Sequence, residues 1–148
     1  MVKQNHVYEA FRQDVHVAKG DLAIADGVPV FVGLDFGLTP ACVFAQRLRG
    51  RWLVFDELVA EDMGIVRFSE LMKQHMAQYL PREFIIFGDP AGDQRVQTDE
   101  STPFQILRGR GLNARPAPSN DVLLRLESVS TVLNRMTDGE SGLIIDPK

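Results

Sequence analysis

Cysteine, long apolar runs and net positive charge are all scarce in this 148-residue chain, and each scarcity removes a class of protein. A single cysteine, Cys42, excludes an internal disulfide framework and a cysteine zinc site, and fits a reducing compartment. Its setting, Ala41-Cys42-Val43-Phe44, marks it as a buried structural thiol. No apolar run approaches the roughly 18 residues of a membrane span. The start, Met1-Val2-Lys3-Gln4-Asn5-His6, lacks the apolar core of a signal peptide, so the sequence reads as soluble and cytoplasmic, with no membrane partner. The phosphate-cradling pattern GxxxxGK[ST] is missing, which excludes ATP binding through a P-loop, and neither an HExxH zinc arrangement nor a serine nucleophile elbow is present. Lys and Arg number 16 against 20 Asp and Glu, a net charge of −4. The chain as a whole therefore has no long-range attraction for nucleic-acid phosphates or lipid headgroups, and only a local basic face can supply one.

What is present is the composition of one globular domain, 45% hydrophobic and 24% charged. A chain of this length buries about 68–70% of the surface exposed when unfolded, enough for one core without staples. Residues 1–27 mix charges and small residues with weak periodicity, an irregular lead-in punctuated at Lys19-Gly20-Asp21 and Asp26-Gly27, and residues 28–148 carry the patterned domain. Val30 to Phe36 is a short apolar run ending at Gly37 and Pro40, as in a strand buried on both faces. Ala41 to Leu48 and Trp52 to Val59 follow, joined by the hairpin punctuation Arg49-Gly50-Arg51, which predicts an antiparallel meander.

After Gly64 the period changes to about 3.6. Ile65, Phe68, Leu71, Met72, Met76 and Tyr79 form one stripe of a helix stopped by Pro81, and Phe84 to Gly88 is a second buried strand, parallel to the first through the crossover. Thr102-Pro103 has helix-start chemistry, Gly111 helix-end chemistry, and Leu112 to Arg115 reads as a brief strand. Asn120 caps a further predicted helix with Val122, Leu126, Val129, Leu133 and Met136 on its stripe, and Gly142 to Asp146 is a last strand. The expected class is α/β: a mixed sheet, an antiparallel three-strand meander plus parallel strands, with helices on both faces.

Two acids stand out by position. Asp35 closes the first strand in Gly33-Leu34-Asp35-Phe36-Gly37, and Asp89 closes the fourth in Gly88-Asp89-Pro90. If those strands are parallel neighbours, both carboxylates meet at one sheet edge, where open α/β sheets bind ligands. Their mutual repulsion suits a divalent cation held by oxygen ligands, Mg²⁺ or Mn²⁺; the alternative is a pair of strand-end turn acids. Gly37 and Gly88 are expected to leave room for a ligand. Asp56 and Glu57, in mid-strand, read as solvated acids, and His75, near its helix's apolar stripe, as a satisfied structural histidine. A local basic segment appears between Phe104 and Leu126, where Arg108, Arg110, Arg115 and Arg125 face Asp121 alone; together with Arg95 these are candidate phosphate contacts or, equally, a solvated helix face.

Gly33-Leu34-Asp35-Phe36-Gly37-Leu38-Thr39-Pro40-Ala41, Gln46, Gly88-Asp89-Pro90-Ala91-Gly92, Pro116-Ala117-Pro118-Ser119-Asn120-Asp121 leading to Arg125, and Gly142-Leu143-Ile144-Ile145-Asp146-Pro147 together resemble, in order and spacing, the nuclease domain of tailed-phage terminase large subunits. The resemblance runs from about residue 14 to the end. It implies a ribonuclease H-like fold and metal-dependent endonucleolytic cutting of concatemeric double-stranded DNA during genome packaging, in the cytoplasm of a host cell. It further implies a two-metal Mg²⁺ or Mn²⁺ site held by Asp35 and Asp89, with Asp35 bridging. Arg95, Arg108, Arg110 and Arg125 would contact DNA, and the partners would be an ATPase motor domain, the small terminase subunit and the portal.

The family's third carboxylate lies in a helix beyond the last strand, so the resemblance leads us to expect a chain truncated before it, with Asp146, Asp93 or Glu57 as substitutes that no motif supports. Two other classes stand beside this one. A catalytically silent DNA-binding or motor-docking module of the same fold would rely on the late arginines. A nucleotide-binding lobe of the actin or sugar-kinase type is the other, since Gly33 to Thr39 also resembles that superfamily's phosphate loop.

Overall fold

The computed structural model describes residues 17, 20, 22–37, 39–89, 102–117, 136–137, 140–141 and 143–145. Strands β1 (Val30–Asp35), β2 (Ala41–Leu48) and β3 (Arg51–Val59) form the expected meander. The β2–β3 turn is tight because Arg49 and Gly50 both take positive φ, 52° and 76°, the backbone handedness that matches strand twist. Helix α1 (Ile65–Met76) and a 3₁₀ turn (Ala77–Tyr79) lead into β4 (Phe84–Gly88), which pairs parallel to β1 from Val30↔Phe84 to Leu34↔Gly88.

Helix α2 (Pro103–Gly109) begins with a full capping box. The Thr102 hydroxyl accepts from the Gln105 N–H, and the Thr102 N–H donates to the Gln105 side chain. It ends at Gly111, whose φ of 85° suits the left-handed position after a helix. The brief strand β5 (Ala114–Pro116) then pairs parallel to β4, and β8 (Leu143–Ile145) pairs parallel to β3. The six-stranded order is β5-β4-β1-β2-β3-β8, a mixed sheet of the predicted kind with β1 and β2 at its centre.

The alternation of β1 separates the two faces. Val30, Val32 and Leu34 are buried under α1 and α2, where Phe68, Met72, Phe104 and Leu107 pack on them with Cys42, Phe44 and Ile86. Each such side chain contributes about 1.5–3 kcal/mol relative to exposure. Phe31, Gly33 and Asp35 point to the other face. Both described helices cover the first face. The further predicted helix over 120–136 lies outside the described residues except at its last position. There Met136 begins β6 (Met136–Thr137), paired with β7 (Glu140–Ser141), so the helical stripe does not extend that far. The reason is local: the two residues between the pairs are Asp138-Gly139, a hairpin-favouring dipeptide that the heptad-like apolar spacing masked. Among the described residues no helix is long and apolar enough to cross a membrane.

The lead-in is tied to the sheet. Buried Gln46 donates to the carbonyls of Ala25 and Val28 and accepts from the Ala25 N–H, while Arg82 donates to the carbonyls of Ile24 and Ala25 and pairs with Asp26. Val17 bridges to Ile145. Gln46 is thereby a structural residue that satisfies irregular backbone.

Candidate active site

The parallel register of β1 and β4 ends at Leu34↔Gly88, so the next residues, Asp35 and Asp89, stand side by side at the carboxyl ends of the two strands. Neighbouring strands lie about 4.8 Å apart, a separation at which two carboxylates can share a cation. Both acids line one open cavity of about 370 Å³, together with Gly33, Ala41, Val43 and Ala117. Asp35 is exposed and Asp89 half-buried. At Gly33 a Cβ would stand in contact with Val43 Cγ2, at 3.4 Å.

The donor set is all oxygen, as Mg²⁺ or Mn²⁺ requires, and in this respect the two residues fit the cation expected of them. Among the described residues no group of three His, Cys, Asp or Glu side chains converges as a metal site. Glu57 does stand on the cleft face, exposed, through the register Gly33↔Val43↔Glu57, two strands from β1. Asp93 and Asp146 lie outside the described residues.

Gly88 has a different role from the one its sequence position suggested. It is buried on the helix-covered face, and a Cβ there would lie 2.7 Å from Phe36 Cε2 and 3.0 Å from the Phe104 ring. The glycine lets α2 and Phe36 close on the strand end, and it also lines the cavity that holds the two acids. A Cβ on Gly37, by contrast, would meet nothing within 4 Å.

Among the described arginines of that segment, Arg115 is exposed on β5 in register with Phe87, which lines the cavity, whereas Arg108 and Arg110 are placed apart from the acids. Arg108 and Arg110 sit at the end of α2, in the helix layer of the opposite face; Arg108 donates to the Ala114 carbonyl at 3.5 Å and Arg110 pairs with Glu70 of α1 at 2.5 Å. Arg95 and Arg125 lie outside the described residues.

A third acid, Asp56, forms a polar cluster that the sequence did not reveal. A β-bulge shifts the β2–β3 register between Phe44 and Ala45, and Asp56, opposite Phe44, faces the helix layer. Its Oδ2 is bonded by His75 Nε2 at 2.5 Å and accepts from the Tyr79 hydroxyl, and its Oδ1 accepts from the Glu57 N–H at 2.8 Å. Burial pushes the Asp56 carboxyl up, but the hydrogen bonds from Tyr79, His75 and Glu57 and the nearby His75 outweigh it, so the group is held below the ordinary carboxylate range. Burial and then the bond to Asp56 push the Tyr79 hydroxyl well above its usual range. His75 is thus the satisfied structural histidine expected; Asp56 is a paired acid, not a solvated one, while Glu57 is exposed. Cys42 is buried as expected, and burial, with Asp56 nearby, pushes its thiol up to about 12.

No protein-family model and no curated protein matches the sequence. Solved structures do. The large terminase of one thermophilic bacteriophage superposes with a TM-score of 0.74 at 19% identity, over 95% of this chain and 34% of that one. The P22 large terminase nuclease domain gives 0.68 at 10% identity over 95% of this chain and 72% of that one. The large terminase nuclease of another thermophilic phage, G20c, with bound magnesium gives 0.65 at 12% identity over 99% and 76%. The chain therefore spans about a third of the first of these proteins and has the ribonuclease H-like fold of terminase nuclease domains.

Proposed function

We propose that the chain is a metal-dependent endonuclease domain that hydrolyses phosphodiester bonds of double-stranded DNA, the nuclease part of a phage packaging terminase. The observation that carries this reading is the placement of Asp35 and Asp89 on adjacent parallel strands, at one sheet edge and in one cleft. The G20c nuclease, which shares the fold, has been solved with bound magnesium and with bound cobalt.

Two divalent cations, Mg²⁺ or Mn²⁺, would supply an activated water and charge stabilisation for the leaving 3′ oxygen. Asp35, on a central strand, and Asp89, at the end of its parallel neighbour, would hold the cations. Gly33 and Ala41, beside Asp35, are small, so that a bulky phosphodiester can reach the carboxylates. Arg95, Arg108, Arg110 and Arg125 remain the candidate contacts to backbone phosphates, each as a forked cationic donor. An ATPase motor domain, the small terminase subunit and the portal belong to the same proposal, as does a place in the host cytoplasm.

The test is cleavage of supercoiled plasmid in Mn²⁺. Nicking by the wild type that disappears in Asp35→Asn is the expected result, and cutting that survives the substitution overturns the assignment. The second reading is a catalytically silent DNA-binding module of the same fold. It predicts strongly salt-dependent DNA binding with no cutting by the wild type.

A further inference from the structure

The β2–β3 hairpin carries Arg47, Arg49 and Arg51, the only charged residues between Ala41 and Phe55 in a chain of net charge −4. Arg51 has a partner within the protein, whereas Arg47 and Arg49 are exposed. Arg49 occupies the turn at φ 52°, a backbone position where asparagine or glycine is the unstrained choice, so a long cationic side chain stands where the turn itself does not call for one. Arg47 lies with its guanidinium carbon 5.8 Å from the centroid of Trp52, which is itself edge-on to Phe31 at 4.9 Å. Stacking on Trp52 pre-orients the cation and limits the freedom it loses on binding.

The register relates this tip to the acids. Asp35 pairs with Ala41, and alternation along β2 puts Ala41, Val43, Ala45 and Arg47 on the same face of the sheet. Six residues at about 3.4 Å each set Arg47 about 20 Å from the level of Asp35. Successive phosphates of one DNA strand are about 3.4 Å apart along the helix axis, so that distance corresponds to about six base pairs.

We propose that Arg47 and Arg49 form a second phosphate-contact site, which grips duplex DNA about six base pairs from the bond held at Asp35 and Asp89. The proposal rests on the nuclease reading for the identity of its ligand. It differs from that reading in its residues and in its measurable consequence.

The experiment is binding of the full chain to a labelled 24-base-pair duplex over a NaCl titration without divalent metal, for wild type, Arg49→Gly, Arg47→Gln/Arg49→Gly and Asp35→Asn. Glycine suits the φ of residue 49, and the circular-dichroism melt of each variant shows whether it is folded. The expected slope of log K against log[NaCl] falls by about one for Arg49→Gly and about two for the double variant, and Asp35→Asn keeps at least the wild-type slope. Unchanged slope and affinity in a folded double variant overturn the proposal and leave the nuclease reading intact. Binding of poly-glutamate but not duplex through these arginines also overturns it, by making the tip a protein-docking surface. If Mn²⁺-dependent cutting is absent yet the arginine-dependent slope is present, the nuclease reading fails and the phosphate-contact site stands.

Discussion

On the helix-covered face of the sheet, Asp56 accepts from Tyr79 and the Glu57 N–H and pairs with His75, so its charge is met by neighbours in the fold. On the cleft face, Asp35 is exposed at the end of a central strand, with Asp89 beside it in the lining of the same open cavity. The same side-chain chemistry is spent on cohesion on one face and turned outward on the other. A carboxylate whose donors come from an adjacent helix stabilises the native state, whereas two carboxylates converging at the ends of parallel strands repel and are placed to hold a cation.

The sharpest break of that comparison comes from exchanging charges on each face. Asp35→Asn and Asp89→Asn are each expected to lower Mn²⁺-dependent plasmid cleavage by on the order of 10²-fold or more, the scale of losing an electrostatic stabiliser. At the exposed position of Asp35 the substitution should change stability by no more than about 0.5 kcal/mol. Asp56→Ala should do the reverse, removing about 1–3 kcal/mol of stability by leaving His75, Tyr79 and the Glu57 N–H without their acceptor and keeping cleavage at wild-type level at a temperature where the variant is folded. Urea denaturation alongside plasmid assays checks both.

Gly88→Ala probes the boundary between the faces. A Cβ 2.7 Å from Phe36 and 3.0 Å from Phe104 overpacks the strand end and should cost about 1–3 kcal/mol, with cleavage reduced as well because Asp89 follows directly. Loss of stability with fully retained cleavage would show that the strand end tolerates displacement.

A smaller effect separates the faces by pH. Asp56 has a folded-state value below its unfolded value, so its contribution is fully present above the unfolded value of about 3.9 and is lost as pH falls through the folded one. Stability measured from pH 6 down to pH 2 should therefore show a flatter acid limb in Asp56→Asn than in wild type. The smallest change concerns Cys42. A thiol pushed up to about 12 is almost wholly protonated at pH 8, so a thiol reagent should label it only as fast as the chain unfolds.

The elements legible in the sequence were those whose signals are local. Thr102-Pro103 with Gln105 marks a helix start, Gly111 its end, and Arg49-Gly50 a hairpin turn, and each is found where its backbone chemistry requires it. Asp35 and Asp89 were legible as a pair because apolar runs ending in an acid, joined by a helical crossover, force parallel alignment. What escaped reading depended on contacts between distant segments. The Asp56 cluster joins residues 19 and 23 positions apart across a bulge that simple alternation does not foresee. The role of Gly88 is set by Phe36 and Phe104, neither adjacent in sequence. The pairing of Met136 with Ser141 was hidden by a helical apolar spacing that runs through Met136, although the hairpin-favouring dipeptide Asp-Gly stands in the sequence just after it.

Calorimetric titration of the full chain with Mn²⁺ at neutral pH tests the division of labour between the faces most directly. Saturable binding by wild type and Asp56→Asn, lost in Asp35→Asn and in Asp89→Asn, is the predicted result. Equal binding by all four proteins, or loss confined to Asp56→Asn, would contradict it.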